Sequence, residues 1–280
     1  MGSLAADVRL DRTHVVDPLA MLFGQQGYST DLRLKPDELS ALQKMTTESW
    51  LSAIRQNAPS QVKQFEEAGI ENYHRLSYLL DHAKLWTTGT RTYAAEMVDT
   101  ILSFSLFDYF DRECGGFSVA SSMPPYGDLG RARMNWRLVR PGLETDIGPI
   151  HADYWFDAVM DGWSKEPTDL VRIKIWIAIY LELGVTGFAY VPGSHLQDFH
   201  FQRKSLPDGA VKPAFDERDL PTPMQVLSTP IGTAVVFNYN LVHRGANSPK
   251  ATRTRVSMET TLEVPRRRLE ARCGDLSRYY

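Results

Sequence analysis

The chain has little cysteine and no long apolar run, and both absences narrow what it can be. Its 280 residues include only two cysteines, Cys114 and Cys273, so a disulfide framework is excluded, and nothing pairs with them at zinc-ligand spacing. No segment approaches the roughly eighteen apolar residues that a membrane-spanning helix needs. Residues 1–14 lack the apolar stretch of a signal peptide. We therefore expect a cytoplasmic protein with no membrane partner.

An excess of positive charge is also missing. The chain carries 31 Lys and Arg against 34 Asp and Glu, a net charge of −3, whereas a general nucleic-acid binder relies on a basic surface. We therefore expect no nucleic-acid partner. The hydrophobic fraction of 43% and the charged fraction of 23% are ordinary for a globular protein, which excludes wholesale disorder.

Motifs for nucleotide binding and for a serine nucleophile are missing too. Neither a P-loop nor a dinucleotide-binding glycine pattern occurs, and there is no Gly-x-Ser-x-Gly. The segment Pro192–His195 is better explained as a turn. His195 and His200 have no third ligand at useful spacing, which argues against a second metal site.

The hydrophobic pattern divides the chain into a helical part and a strand-rich part. Pro36 opens a predicted helix with acidic residues in its first turn, and apolar stripes predict further helices over residues 62–80 and 92–107. From about residue 117, short aromatic and β-branched runs alternate with Gly, Pro, Asp and Asn. The predicted strands are residues 117–120, 135–139, 171–181, 187–191, 233–237 and 255–264. This order predicts an α+β, mainly β protein whose strands form a barrel or jelly roll.

No linker is distinct enough to divide the chain. We therefore predict one domain over residues 1–280, helical from about 20 to 110 with a strand-rich core from about 117 to 264. The largely polar, proline-containing stretch from Leu196 to Pro223 is predicted to be a surface insertion.

One local motif suggests metal chemistry. In an extended strand, residues two apart point to the same face, so His151 and Asp153 can converge on one ion. By itself the motif is better explained as a hydrogen-bonded His–Asp pair on a surface loop. His243, 92 residues downstream and behind a predicted strand, supplies a third candidate ligand. Two histidines and one carboxylate on one face leave coordination positions open for a co-substrate and O₂, as in non-haem Fe(II) oxygenases.

Several loose motifs in a specific order make the sequence resemble the phytanoyl-CoA dioxygenase family of Fe(II)/2-oxoglutarate-dependent oxygenases. These motifs are Phe23 with Gly27-Tyr28, Leu34–Leu39, Pro149–Asp153, Ile175–Ala178, Gly187 with Val191–His195, Gly232 with Phe237, and His243–Asn247. They extend over about residues 20–263. Nothing matches between about 58 and 110, so the role of that helical stretch stays open.

The resemblance implies a fold, a ligand set and a reaction. The implied fold is a double-stranded β-helix, a cupin-like jelly roll, with an N-terminal helical layer. The implied iron ligands are His151, Asp153 and His243, and the implied cofactors are Fe(II), 2-oxoglutarate and O₂. We expect oxidation of a small molecule or natural product by a monomer or homodimer, with release of succinate and CO₂. Related halogenases carry a small residue where Asp153 stands, so we expect hydroxylation rather than halogenation.

The resemblance also implies an arginine on a late strand that binds the distal carboxylate of 2-oxoglutarate, and two residues compete for this role. Ser257 shares a strand face with Arg255 and can donate a second hydrogen bond to the carboxylate. Arg253 has an acceptable spacing and the same strand parity, but we favour Arg255. Asn135 and Trp176 lie on predicted strands that, by resemblance, line the co-substrate pocket; ordinary barrel core is the alternative.

The aromatic residues directly after the metal motif are the candidate substrate wall. Tyr154, Trp155 and Phe156 can lie over the open coordination positions, although strand alternation would let only some of them face the metal. The alternative is an apolar plug that packs the helical layer onto the barrel. A different function also stays open, a cupin-type metal-dependent isomerase or dioxygenase that does not use 2-oxoglutarate.

Overall fold

The computed structural model describes residues 17–121, 132–159, 169–205 and 211–279. The helices there are α1 (Pro18–Phe23), α2 (Pro36–Asn57), α3 (Val62–Ala68), α4 (Tyr73–Leu76), α5 (His82–Leu85), α6 (Ala95–Leu102), α7 (Ser105–Cys114), α8 (Asp153–Val159) and α9 (Arg266–Cys273). The strands are β1 (Tyr28–Arg33), β2 (Ser118–Val119), β3 (Met134–Val139), β4 (Leu170–Tyr180), β5 (Gly187–Tyr190), β6 (Gln202–Ser205), β7 (Val211–Ala214), β8 (Gln225–Leu227), β9 (Thr233–Asn238), β10 (His243–Ala246) and β11 (Arg255–Pro265).

Two antiparallel sheets form the jelly roll that the sequence predicted. The larger has the strand order β1-β9-β4-β11-β2, with β3 also paired to β11, and the smaller has the order β10-β5-β8. The sheets pack face to face, because Phe188 of the small sheet contacts Phe237 and Trp176 of the large one at ring-centroid distances of 4.7 and 6.0 Å. The predicted α+β, jelly-roll class is therefore confirmed.

Strand alternation on β4 gives the large sheet two different faces. Ile173, Ile175 and Ile177 are fully buried against the helical layer. Lys174 and Trp176 alternate with them and therefore point into the space between the two sheets. Because both faces are covered, the strand is a nearly continuous apolar run, and the lysine within it needs a polar partner.

The helical layer accounts for the stretch that the motifs left open. The Trp86 indole contacts Trp136 on the outer face of β3 at 5.3 Å and donates a hydrogen bond to the Tyr73 hydroxyl at 2.8 Å. Tyr73 in turn packs on Trp50 of α2. The residues between 58 and 110 therefore cover the outer face of the large sheet with aromatic rings.

Two predicted helices are shorter than expected. The predicted start at Pro36 agrees with α2, but the stripe over residues 62–80 is divided into short helical turns. Gly69 causes the first division, because its φ of +75° is a conformation that ends a helix. The stripe over residues 92–107 is split between α6 and α7, since Phe104 has an extended backbone.

The stretch from Leu196 to Pro223 is not simply a surface insertion. Phe199, Phe201 and Phe215 pack around the buried Trp155, and the Trp155 and Phe201 rings stack at 5.0 Å. Although the stretch is largely polar, these three aromatic residues pack it against α8. Residues 206–210 of this stretch lie outside the described residues. Within the described chain, no helix is long and apolar enough to cross a membrane.

The close pairing of β5 with β8 gives a test of the small sheet. A Cβ atom at Gly187 would lie 2.4 Å from the backbone oxygen of Leu227, so Gly187→Ala is expected to lower the free energy of unfolding by about 1–3 kcal/mol. Urea titration measures this. Gly89→Ala is the matched control, because its Cβ meets only the Thr87 hydroxyl at 3.9 Å. Equal stability of the two variants would contradict this packing.

Candidate active site

A single antiparallel bridge brings His151 and His243 together. The amide of His151 donates to the carbonyl of His243 at 3.1 Å, and the amide of His243 donates to the carbonyl of His151 at 2.8 Å. The two ring centroids are 4.5 Å apart as a result. Phe188 stacks on the His243 ring at 5.2 Å and restricts its rotation.

The backbone also decides which ring nitrogen of each histidine is available. Nδ1 of His151 lies 2.8 Å from the carbonyl of Pro149, and Nδ1 of His243 lies 2.9 Å from the carbonyl of Leu241. A carbonyl only accepts, so each Nδ1 carries the proton and each Nε2 keeps its lone pair. This is the tautomer that a metal-binding histidine needs.

Asp153 joins the two histidines by a different geometry from the one expected. The sequence predicted an extended strand through His151 and Asp153, but Asp153 is the first residue of α8. The strand expectation is wrong, because the chain turns into a helix directly after the His151 bridge. The carboxylate nevertheless reaches the histidines, and its Oδ2 lies 3.6 Å from Nε2 of His243.

The three side chains form a compact donor set. One ligand atom from each of His151, Asp153 and His243 lies within 4.8 Å of the others, and among the described residues no other group of this kind is found. Asp153 Oδ2 is buried and has no hydrogen-bond partner in the described part of the chain. An orphaned carboxylate oxygen between two imidazole lone pairs suits a divalent first-row metal ion.

Lys174 is a part of the site that the sequence analysis missed. Its ammonium lies 3.1 Å from Oδ1 of Asp153, and its side chain is only 12% exposed. The contact leaves Oδ2 as the free oxygen of Asp153. The signal in the sequence was a single lysine within the apolar run of β4. The run does not show which residue pairs with this lysine, because the partner lies on a different element, α8.

The charges at the site favour the ionisation states that a metal requires. Burial, together with the neighbouring His151, lowers the pKa of His243 to about 3, so this imidazole is neutral at physiological pH. Burial also lowers the pKa of His151. Burial alone would raise the pKa of the Asp153 carboxyl, but the charge of Lys174 and its hydrogen bond to the carboxylate help to outweigh it, and that pKa is lowered.

Arg255 lies inside the barrel and forms no ion pair with a carboxylate of the described residues. The residue is 3% exposed, and its guanidinium carbon lies 5.7 Å from the centre of the Trp176 ring. Nη1 reaches the Ser257 hydroxyl at 3.5 Å, while Nε is buried and no described residue accepts a hydrogen bond from it. The pKa of Arg255 is lowered to about 10, chiefly by burial and also by the charge of Arg137, while Glu259 opposes them. A buried cation in this state is costly unless an anion binds beside it.

Gly245 makes room for this guanidinium. A Cβ atom at Gly245 would lie 2.6 Å from Nη2 of Arg255. Gly245 and His243 are two residues apart on β10 and point to the same face. The guanidinium therefore lies about 7 Å along the strand from the His243 position.

Arg253 lies in a different environment from Arg255. The expected shared strand parity is wrong, because β11 begins at Arg255. The Arg253 side chain is 60% exposed and pairs with Glu71 at 3.2 Å on the surface. Only Arg255 of the two candidates points between the sheets.

The two residues predicted beside the co-substrate differ in their contacts. Trp176 lies under Arg255 and is 4% exposed. Asn135 is 7% exposed and accepts a hydrogen bond from the Thr92 hydroxyl at 2.8 Å, which ties the helical layer to β3.

The three aromatic residues of the predicted substrate wall point in different directions, because they lie on a helix rather than a strand. Phe156 meets the His151 ring edge-on at 5.2 Å. Trp155 is fully buried in a separate apolar cluster, and Tyr154 packs beside it against Phe201. Phe156 is therefore the aromatic residue of the three that contacts the donor set.

His195 and His200 lie apart from this site, as expected. His195 is 3% exposed and its Nε2 donates to the carbonyl of Gly24 at 2.7 Å. His200 is exposed.

Comparison with known proteins finds solved structures with a similar fold. No protein-family profile matches the chain. No curated protein sequence matches it either. Solved structures do match. EctD from S. alaskensis with bound Fe is 16% identical, with 89% of this chain and 77% of that chain covered and a TM-score of 0.51. EctD has also been solved with 2-oxoglutarate and 5-hydroxyectoine (16% identity, 89% and 76% covered, TM-score 0.50).

Two further proteins have the same fold. AviO1 from Streptomyces viridochromogenes Tue57 is 15% identical, with 90% of this chain and 97% of that chain covered and a TM-score of 0.51. The non-heme alpha ketoglutarate dependent carbocyclase SnoK from nogalamycin biosynthesis is 14% identical, with 90% and 85% covered and a TM-score of 0.51. The chain thus shares the fold of these proteins.

The donor set predicts how metal binding responds to mutation. His151→Ala is expected to weaken Mn(II) binding at least about 100-fold, because it removes one of three donors. The free Mn(II) signal in electron paramagnetic resonance measures this. His195→Ala is the control, since that histidine is bonded to Gly24 and not to the donor set. Similar losses in the two variants would contradict the ligand assignment.

Lys174 gives a second prediction at the same site. Lys174→Met is expected to weaken Mn(II) binding about tenfold, because Asp153 loses the cation that keeps it ionised and oriented. Lys44→Met controls for loss of a positive charge at an exposed position. Unchanged or tighter binding in Lys174→Met would show that the lysine does not support the carboxylate.

Proposed function

We propose that the protein is a non-haem Fe(II)- and 2-oxoglutarate-dependent oxygenase that oxidises a small molecule, most simply by hydroxylation. His151, Asp153 and His243 would hold the iron, and Arg255 with Ser257 would bind the distal carboxylate of 2-oxoglutarate. The observation that carries the proposal is the buried Arg255, which has no counterion among the described residues.

The position of Arg255 supports a dicarboxylate as its partner. A ligand that spans the site must reach from the donor set to the guanidinium, about 7 Å along β10. A five-carbon dicarboxylate has a suitable length, because one end can bind a metal ion while the other meets the guanidinium. Arginine presents a planar pair of donors that matches a carboxylate, and Ser257 adds a hydroxyl beside it.

The donor set supports iron as the metal. Two neutral imidazoles and one carboxylate on one side leave further coordination positions free, as in oxygenases of this type. Bound iron would let O₂ oxidise 2-oxoglutarate to succinate and CO₂, with one oxygen atom entering succinate and the other the substrate. The chain's own part is to orient the donors through Pro149, Leu241 and Lys174.

Apolar rings beside the donor set support a reaction from which water is excluded. Phe188 and Phe237 contact the His243 ring at 5.2 and 4.7 Å, and Phe156 contacts His151. They limit water at one side of the donor set, which protects a reactive centre from side reactions. The alternative, a cupin-type enzyme without 2-oxoglutarate, leaves the buried charge of Arg255 without an explanation.

Anaerobic addition of Fe(II) and 2-oxoglutarate tests the proposal directly. The two together are expected to give the weak visible charge-transfer band of a chelated 2-oxo acid, which absorption spectroscopy detects. Succinate formation coupled to O₂ uptake is the second readout. Absence of the band in a protein that binds Fe(II) would favour the cupin-type alternative.

The anchor has its own test. Arg255→Met is expected to raise the 2-oxoglutarate concentration for half-maximal band intensity at least about 100-fold, because a bidentate charged contact contributes about 3 kcal/mol. Arg253→Met is the matched control, since its charge is on the surface. The reverse ranking of the two variants would move the anchor to Arg253.

A further inference from the structure

A second group of positive charges lies beside the space between the two sheets that contains the donor set. We call this space the cavity. We call Arg91, Arg133 and Arg137 the arginine cluster. Arg137 is on β3 and is paired in register with Ser257, so it shares the inner face of the sheet with Arg255. Its side chain is 39% exposed despite this inner position, so there is free space beside it.

The helical layer brings Arg91 to this cavity. The residue after it, Thr92, forms an antiparallel bridge with Asn135, and the amide of Tyr93 donates to the carbonyl of Met134 at 3.0 Å. This short pairing extends the sheet past β3. Arg133 directly precedes β3, so the chain places both residues at the same edge of the cavity.

The cluster has more positive than negative charge. Glu259 pairs with Arg137 at 2.7 Å. Within the described residues no carboxylate forms an ion pair with Arg91, whose Nε donates to the carbonyl of Thr87 at 3.3 Å. Nε of Arg133 is buried, and no described residue accepts a hydrogen bond from it. In the described part of the chain, Glu259 is therefore the carboxylate that forms an ion pair with one of these three guanidinium groups.

The other charges of the cluster affect the pKa of Arg91. The pKa of Arg91 is lowered to about 10, chiefly by burial and also by the positive charges of Arg137 and Arg133, while Glu259 opposes them. Like charges held together in a partly buried place are unfavourable until an anion joins them.

The cluster is close to the donor set but distinct from the 2-oxoglutarate anchor. The pKa of Arg137 is raised chiefly by Glu259, and the charge of the Asp153 carboxylate makes a smaller contribution in the same direction. Arg255 lies two residues before Ser257 on β11 and next to Gly245. If 2-oxoglutarate binds Arg255, the excess charge of the arginine cluster is left for another ligand.

We propose that the substrate carries an anionic group, a carboxylate, sulfate or phosphate, and that Arg91 and Arg133 bind it while Arg137 stays paired with Glu259. The inference rests on the proposed function, and it adds the chemical class of the substrate. Guanidinium groups suit all three anions, because each presents oxygen pairs that accept two parallel hydrogen bonds.

Sulfate is the probe for this subsite, because it is a weak metal ligand. Protein loaded with Zn(II) and saturating 2-oxoglutarate, so that Arg255 is occupied, is titrated with sodium sulfate at constant ionic strength by isothermal calorimetry. The wild type is expected to bind one sulfate. The double variant Arg91→Met/Arg133→Met should bind it at least about tenfold more weakly, whereas Arg91→Lys/Arg133→Lys should retain part of the affinity because the charge remains.

Controls separate this inference from the proposed function. Lys44→Met removes an exposed charge and should leave sulfate binding unchanged. A wild type that shows the Fe(II)–2-oxoglutarate band but binds no sulfate, or a double Met variant that is folded by circular dichroism and binds sulfate normally, would overturn the subsite. Absence of the band, with sulfate binding that still depends on Arg91 and Arg133, would overturn only the proposed function.

Turnover distinguishes the source of the anion. Metabolite acids, sulfate esters and phosphate esters are compared with their uncharged amide or alcohol counterparts for substrate-dependent succinate formation. Only the charged members are expected to stimulate it, and Arg91→Met should raise their KM at least about tenfold with the KM for 2-oxoglutarate unchanged. Equal stimulation by the uncharged counterparts would overturn the proposal.

Discussion

The site depends on one pair of backbone hydrogen bonds, those that join His151 to His243. The bridge holds two chain segments 92 residues apart at a fixed distance, and each imidazole is then oriented by a carbonyl two residues earlier in its own segment. The candidate metal donors are thus positioned by main-chain geometry, so movements of other side chains change their positions little. A site built this way is preorganised, because its donors converge before any ligand arrives.

The inner face of the large sheet carries an unusual amount of charge for the interior of a protein. Lys174 is paired with Asp153, Arg137 with Glu259, and Arg172 with Asp157 and Glu263. Burying such groups is tolerated only when partners are near. Arg255 differs, since it forms no ion pair with a described residue and its Nε has no described hydrogen-bond partner, as is also true of Nε of Arg133. The pattern of paired and unpaired charges therefore indicates where anionic ligands would bind. This indication is independent of the comparisons with solved structures, which establish only the fold.

The outer face of the same sheet explains the long helical part of the chain. Ile173, Ile175 and Ile177 need a cover, and the aromatic rings of the helical layer provide it. That layer also reaches the site, because the segment with Arg91 and Thr92 pairs with β3 at the edge of the cavity. The helices thus do two things, since they stabilise the sheet and bring residues to the cavity beside the metal donors.

The sequence by itself predicted the jelly roll, the three candidate donors and the preference for Arg255, because motif order and residue chemistry can be read along the chain. Tertiary structure alone decided that Asp153 begins a helix, that Lys174 meets it, and that Arg91 and Arg133 adjoin the same cavity. It also decided that Trp155 packs away from the donors while Phe156 contacts one of them. These outcomes depend on which segments meet in space, and a contact between residues far apart in the chain leaves no periodic pattern in either one.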